Sequence, residues 1–183
     1  AQGNPKDVEL FNRDRSPIHY PRIELLVTDK IRRVGEAVAM VIAETPNQAR
    51  DAAEEVVTEY DLLPSVVDQI DALRDNLCVD DQKGDVAKVA DVFSKAAHVV
   101  RMDLRNNRVS GVPMEPRAAV AEYDEQRDTY TLWAGGQGVN RFQREISTAF
   151  GVPEDDVRVI ARDVGGGYGT RNSCYPEFTL VTW

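Results

Sequence analysis

The 183-residue sequence contains only two cysteines and two histidines, and their positions exclude several kinds of site. Cys78 and Cys174 are too far apart for a metal-binding spacing or a disulfide framework, so a reducing cytoplasm is the expected compartment. His19 and His98 are isolated, which leaves no Cys/His or Ser/His/Asp arrangement for nucleophilic catalysis. We therefore expect structural or solvated histidines and predict no metal-ligating side chains.

The sequence also lacks a basic cluster and a long apolar run. Its formal net charge is -9 and its Lys and Arg residues do not gather into one face, which argues against nucleic acid and anionic membranes as partners. No apolar run approaches the roughly 18 residues of a membrane-spanning helix. With 42% hydrophobic residues, the composition is that of a globular protein with one large domain or two small ones.

Glycine, by contrast, is concentrated near the C-terminal end. The apolar, β-branched run at residues 157–164 predicts a half-buried strand, and four glycines follow within residues 165–169. Pro176 then suits the first turn of a helix. A strand, a glycine loop and a helix start favour an anion or cofactor cradle, although an ordinary turn explains the glycines equally well. Thr170 breaks the dinucleotide fingerprint, so the loop alone leaves its ligand open.

A second glycine-rich loop, residues 134–138, also lies between a predicted strand and a predicted helix. Gln137 within it could act in the N-cap region or as a neutral amide donor to an oxo group. If their strands pair, the two loops form one site at neighbouring strand ends. Upstream, residues 113–117 predict a rigid turn at a strand entrance, in which Glu115 and Arg117 form a surface pair worth under about 1 kcal/mol.

Hydrophobic periodicity and turn signals divide the rest of the chain. A polar arm or loop is predicted over residues 1–20, and a linker over residues 71–84. Thr45, Pro46 and Gln48 predict a helix start with a capping box. Further strands are predicted at 22–27, 35–44 and 97–105, a helix from 85 to 97, a hairpin of 117–123 with 129–133, and a helix from 139 to 150.

Together these motifs resemble the molybdenum hydroxylase superfamily, which includes xanthine dehydrogenase and aldehyde oxidase. Residues 33–68 resemble the hammerhead α/β domain of that family, and residues 84–100 resemble the join to its next domain. Residues 113–117, Trp133 with Gln137, and residues 163–169 resemble the first part of its molybdenum-cofactor-binding domain. Within the superfamily, the chain is most similar to the large subunit of aerobic carbon monoxide dehydrogenase and its relatives.

The resemblance implies an α+β protein with a hammerhead-like domain over residues 21–70 and the N-terminal part of a molybdopterin-binding domain over residues 85–183. Gln137 matches the family glutamine whose amide hydrogen-bonds an oxo ligand of molybdenum. The loop whose backbone lies against that ligand and the pterin is matched by Gly166, Gly167, Tyr168 and Gly169. Phenylalanine usually takes the place of the tyrosine. No catalytic residue is predicted.

For the intact protein, the resemblance implies a molybdenum-dependent dehydrogenase that hydroxylates an aldehyde, a heteroaromatic ring or carbon monoxide with water as oxygen source. It implies a molybdenum–molybdopterin cofactor in its cytosine dinucleotide form, and iron–sulfur and FAD subunits or domains as partners. Asn172 stands where xanthine dehydrogenase-like members carry a purine-binding glutamate, which argues against a purine substrate.

The family's active-site loop and catalytic glutamate would lie beyond Trp183. We therefore expect a fragment that is inactive and binds no cofactor alone. The alternative is a non-catalytic binding or assembly module with a hammerhead-type fold. A nucleotide-binding enzyme that uses the glycine loop is a further alternative, and it predicts nucleotide binding in calorimetry.

Overall fold

The structure, a computed structural model, describes residues 23–75, 84–107 and 109–183. The predicted polar arm, His19 and Cys78 lie outside these residues. Five helices, one 3₁₀ turn and three strands are assigned within them. In chain order they are α1 (Pro46–Glu54), α2 (Gln69–Asp75), α3 (Val86–Lys95), β1 (Ala119–Asp124), β2 (Thr129–Ala134), α4 (Val139–Phe150), the 3₁₀ turn (Glu154–Asp156), β3 (Val157–Ile160) and α5 (Pro176–Thr182).

The packed core of the described residues surrounds the central strand β2. This strand pairs antiparallel with β1, forming the predicted hairpin, and parallel with β3. Parallel neighbours need a crossover connection, and α4 provides it. Alternate side chains of β2 are buried, as expected for a strand with one face on a core. The main core cluster consists of Tyr130, Leu132, Ala134, Phe142, Ile146, Val157 and Phe178.

Helix boundaries follow local hydrogen-bonding chemistry. At the start of α1, the Gln48 backbone N–H donates to Thr45 Oγ1 at 3.3 Å, and the Thr45 N–H donates to Gln48 Oε1 at 3.0 Å. This reciprocal arrangement confirms the predicted capping box. Helix α4 ends at Phe150 and is capped by Gly151, whose φ of 70° is the left-handed conformation typical of glycine at a helix C-terminus. No helix in the described part of the chain is long and apolar enough to cross a membrane.

Three strand predictions are wrong. Residues 23–27, 35–44 and 97–105 form no regular strand in the part of the chain that the structure describes; Ile23 makes an isolated bridge. The Val27 N–H does donate to the Ala37 carbonyl at 2.8 Å, but no ladder extends from this bond. Apolar residues such as Ile42 and Val100 remain exposed there. The β-propensity of a segment mainly reflects how well its side chains pack on a half-buried sheet. A segment of high propensity therefore forms no strand where no neighbouring strand pairs with it.

A helix lies partly within the predicted linker, whose limits stay a prediction, and one strand is shorter than predicted. Helix α2 occupies the first part of the predicted linker, residues 71–84, of which residues 76–83 lie outside the described set. Strand β3 ends at Ile160, although the apolar run continues to residue 164. Its register partner, β2, ends only a residue after the last paired position, Trp133 opposite Ile160. The chain is therefore free to leave the sheet before the glycines begin.

Cys174 is half-buried and lies against α5 and the segment around Leu25. Burial raises the pKa of Cys174 to about 12, and the contact with Thr179 Oγ1 at 3.6 Å only partly opposes this. Since the unfolded chain ionises its thiol near 9, stability is expected to fall as pH rises from about 9 to about 12.

The same burial predicts slow alkylation of Cys174. At pH 8 we expect iodoacetamide to label Cys174 at least about tenfold more slowly in the folded chain than in concentrated urea, because the thiolate is the reactive form. Mass spectrometry of the peptide that contains Cys174 measures both rates. Equal rates under the two conditions would show that the thiol is accessible and normally ionised.

Candidate functional site

The two glycine-rich loops follow strands that are neighbours in the sheet. Strand β2 leads directly into residues 134–138, and β3 leads through four residues into 165–169. Because β2 and β3 run parallel, their carboxyl ends meet at the same edge of the sheet, which is where α/β proteins commonly bind ligands. The prediction that the two loops share a site depended on this pairing, and the pairing is confirmed.

Gln137 connects the two loops by two hydrogen bonds. Its backbone N–H donates to the Arg171 carbonyl at 2.9 Å, and its side-chain Oε1 accepts from the Gly169 N–H at 2.9 Å. A backbone N–H can only donate, so the amide atom that faces Gly169 must be the oxygen. The Nε2 group of Gln137 therefore faces away from Gly169, and no described residue accepts a hydrogen bond from it.

The glycine at position 167 is needed because Gln137 lies directly against it. A Cβ at Gly167 would lie 2.3 Å from Gln137 Cδ, far closer than any side-chain contact allows. Gly169 has a φ of 84°, which disfavours residues with a side chain. Two of the predicted site positions thus require glycine for different reasons. Gly167 leaves room for the Gln137 side chain, and Gly169 provides the left-handed turn whose N–H orients that side chain.

Tyr168 adopts an uncommon backbone conformation within the same loop. Its φ is 51°, in the left-handed region that residues other than glycine, asparagine and aspartate rarely occupy. Its side chain is 75% exposed, and the ring covers Gly166, where a Cβ would lie 2.8 Å from Tyr168 Cε2. All five predicted site residues therefore lie in one region, with Gln137, Gly167 and Gly169 in direct contact.

An ion pair between Glu115 and Arg171 lies beside this region, and the sequence reasoning missed it. The Arg171 guanidinium donates both to the Glu115 carboxylate and to the Glu115 backbone carbonyl. The carboxylate also accepts from the Gly165 N–H at 2.9 Å. That backbone bond and, next, the bond from Arg171 hold the pKa of Glu115 below its ordinary value.

The predicted surface pair of Glu115 with Arg117 is therefore wrong. Arg117 lies over the Tyr175 ring, 4.4 Å from its centroid, and 3.8 Å from Glu177. Proximity along the sequence suggested the first pairing, whereas the glycine loop brings Arg171 to Glu115 across 56 residues. A charged residue two positions after the glycine-rich loop was the only signal of this partner, and it did not identify the carboxylate.

The backbone around the site offers hydrogen-bond donors. The N–H groups of Gly166, Gly167 and Tyr168 donate to no other described residue. No side chain caps the first turn of α4; its N-cap is Gly138, and the positive end of the helix dipole lies there. Among residues 23–75, 84–107 and 109–183, no three His, Cys, Asp or Glu side chains could together hold a metal ion. What this arrangement provides is a set of neutral donors suited to an oxygen-rich anionic group.

Comparison with known families agrees with this geometry. Residues 70–183 match the molybdopterin cofactor-binding domain, and residues 5–64 match the a/b hammerhead domain of aldehyde oxidase and xanthine dehydrogenase. The chain belongs to the molybdopterin cofactor-binding domain family, within the molybdenum hydroxylase (xanthine dehydrogenase/aldehyde oxidase) superfamily. The resemblance and the α+β fold class inferred from the sequence are confirmed. The proposed domain limits at residues 70 and 85 stay predictions.

Similar proteins include enzymes of several named activities. The chain is 35% identical over 167 residues to the 6-hydroxypseudooxynicotine dehydrogenase complex subunit gamma of Paenarthrobacter nicotinovorans, covering 87% of this chain and 21% of that protein. It is 30% identical over 180 residues to the carbon monoxide dehydrogenase large chain of Hydrogenophaga pseudoflava, covering 86% and 22%. The chain therefore spans about a fifth of the length of these curated relatives.

Solved structures show the same likeness in three dimensions. Quinoline 2-oxidoreductase from Pseudomonas putida 86 superposes with a TM-score of 0.71 at 33% identity, covering 99% of this chain and 24% of that chain. The Cu,Mo-CO dehydrogenase gives a TM-score of 0.73 at 27% identity, covering 85% and 22%.

Proposed function

We propose that this chain forms one wall of the molybdenum–pterin site in the large subunit of a molybdenum hydroxylase. The observation that carries the proposal is the orientation of the Gln137 side chain. The Gly169 N–H donates to the side-chain oxygen of Gln137, and the Gln137 Nε2 group remains available to donate to an oxygen atom of the cofactor. The backbone of Gly166, Gly167, Tyr168 and Gly169 lies along the pterin in this proposal.

The residues present fit such a group. A side chain at Gly167 would collide with Gln137, so the loop must present bare backbone there. Three successive N–H groups, from Gly166 to Tyr168, are free within the described residues and can donate to an anionic ligand. These are the contacts by which a protein without nearby metal-ligating side chains can hold a metal through its organic cofactor.

The roles in the intact enzyme follow from this assignment. When bound, the molybdenum cofactor supplies the redox centre that takes two electrons from the substrate. Gln137 and the glycine loop bind and orient it, and no residue of this chain is assigned the catalytic base. The substrate class is an aldehyde, a heteroaromatic ring or carbon monoxide, hydroxylated with water as oxygen source, in the cytoplasm. The cofactor takes the cytosine dinucleotide form, and the electrons leave through iron–sulfur and FAD subunits or domains.

The test is a titration of the ¹⁵N-labelled chain with isolated molybdenum cofactor under anaerobic conditions. We expect the chain to retain no cofactor once free cofactor is removed, because most of the pocket is formed by other parts of the intact enzyme. At high cofactor concentration we expect weak, reversible contact, with shift changes confined to residues 165–169 and the Gln137 side chain, and no turnover. Gln137→Leu should abolish most of the change, whereas the matched control Gln126→Leu, in the exposed hairpin turn, should not. Unchanged loop signals would contradict the proposal. Stoichiometric molybdenum with turnover would contradict only the expectation that this chain is inactive by itself. Binding of a mononucleotide would favour the nucleotide-binding alternative.

One observation favours the second candidate function, a non-catalytic binding or assembly module. Helix α3 exposes apolar side chains along one face, among them Val86, Val89 and Phe93. An exposed apolar face is typical of a surface that contacts another protein. This function predicts that substitutions on α3 alter association with a partner while the cofactor titration leaves the glycine loops unchanged.

A further inference from the structure

We propose that Glu115 and Arg171 act as a positioning pair, which sets the orientation of the Gln137 amide and the shape of the glycine loop. This inference deepens the proposed function and rests on it, because the pair has a role in cofactor binding only if Gln137 and the glycine loop bind the cofactor. It assigns two positioning residues to the site and no additional catalytic residue.

Arg171 is attached to Glu115 at two points. Its guanidinium donates to the carboxylate and to the backbone carbonyl of the same residue, Glu115. The planar guanidinium group presents its donors in a rigid fork, so a two-point attachment defines both its position and its direction. The backbone of Arg171 is thereby held relative to the segment that precedes β1.

Arg171 is in turn connected by hydrogen bonds to Gln137, the candidate cofactor-binding amide. The Arg171 carbonyl accepts from the Gln137 N–H at 2.9 Å, and Gln137 Oε1 accepts from the Gly169 N–H at 2.9 Å. At the other end of the loop, the Gly165 N–H donates to Glu115 at 2.9 Å. The loop from Gly165 to Arg171 is therefore tied at both ends to one carboxylate.

Burial supports a dedicated role for the pair. Arg171 is only 2% exposed, and burying a guanidinium is costly unless its donors are satisfied. Glycines of both loops make room for the pair. A Cβ at Gly135 would lie 3.2 Å from Arg171 Nη1, and a Cβ at Gly165 would lie 2.5 Å from Glu115 Cβ. The Arg171 guanidinium is buried, and the half-buried Glu115 carboxylate faces it. Because this carboxylate is already bonded to Arg171 and to the Gly165 N–H, we infer that the pair acts on a ligand through the loop backbone and Gln137.

The positioning role predicts coupling between groups that do not touch. Glu115→Gln keeps the shape of the side chain but removes the charge opposite Arg171. We expect amide hydrogen exchange at Gly169, which Glu115 does not contact, to become about fivefold faster or more, together with that at Gly165. The amides of Leu132 and Ile146 in the core should exchange at the wild-type rate. The exposed Glu122→Gln serves as the matched control and should change none of these rates.

Arg171→Lys provides the second variant, since lysine keeps the charge but loses the fork geometry. It should also accelerate exchange at Gly169 and shift the Gln137 side-chain amide signals while the core is unchanged. Faster exchange at Gly165 alone would overturn the proposal, as would equal acceleration of loop and core amides in both variants.

Cofactor titration of the same variants separates this inference from the proposed function. We expect about fivefold weaker binding in Glu115→Gln and Arg171→Lys and unchanged binding in Glu122→Gln. If the wild-type chain binds no cofactor although its exchange pattern responds as expected, the proposed function fails and the coupling within the loop stands. If the wild type binds cofactor and both variants bind equally well, the positioning role fails and the proposed function stands.

Discussion

Replacing Phe142 by alanine is expected to lower the free energy of unfolding by about 3–5 kcal/mol, as measured by urea denaturation. The Phe142 ring is 1% exposed and its centroid lies 6.3 Å from that of Phe178 on α5. It also supports the second glycine loop, since a Cβ at Gly136 would lie only 2.4 Å from the ring. A total stability of about 5–15 kcal/mol is ordinary for a domain, so the loss is a large share of it.

Phe93→Ala is the matched control, because the chemical change is the same at a site with a different environment. Phe93 lies on α3 and is 57% exposed, so we expect its substitution to change the free energy of unfolding by about 0.5 kcal/mol or less. Similar losses in the two variants would contradict the placement of the core around β2 and α4.

Gly167→Ala is expected to have the largest effect on the candidate site. The new methyl group would lie 2.3 Å from Gln137 Cδ, so the glutamine must move away and release the Gly169 N–H. Loss of this hydrogen bond and the local crowding cost the binding-competent loop conformation about 1–3 kcal/mol, which corresponds to roughly 5- to 150-fold weaker cofactor binding. Titration of the labelled chain with molybdenum cofactor measures the change in affinity.

Gly138→Ala tests whether the effect belongs to position 167 or to any glycine of the two loops. A Cβ at Gly138 would have Arg141 Cβ at 3.8 Å as its nearest neighbour, and the backbone there is extended, with a φ of -171°. We expect wild-type affinity for this variant. If Gly167→Ala also retained wild-type affinity, Gln137 would have no role as an oriented donor.

Elements governed by near neighbours in the chain were predictable. The capping box of Thr45 and Gln48 and the C-cap of α4 at Gly151 involve groups within four or five residues of one another. Their hydrogen bonds depend on residue type and local torsion angles, both of which the sequence specifies. The β1–β2 hairpin was predictable for the same reason, because a short turn joins its two apolar strands.

Elements that depend on a distant partner were predicted poorly. The apolar run at residues 35–44 has strand propensity, but a strand requires a ladder to a neighbouring strand. In the described part of the chain, the bond from the Val27 N–H to the Ala37 carbonyl is not extended into such a ladder. Glu115 is paired with an arginine 56 residues away instead of Arg117. Sequence spacing carries no information on such pairs, because the contact exists only after the loops have folded against the sheet.

For the glycine loop at residues 165–169, the sequence by itself determined where side chains are absent, and its motifs identified the family. Only the tertiary structure decided what uses that space: the parallel pairing of β2 and β3 brings Gln137 onto Gly167, and the Gly169 N–H selects which end of the amide faces outward. The physical reason is that a missing Cβ is a property of one residue, whereas the orientation of an amide depends on the donor it meets.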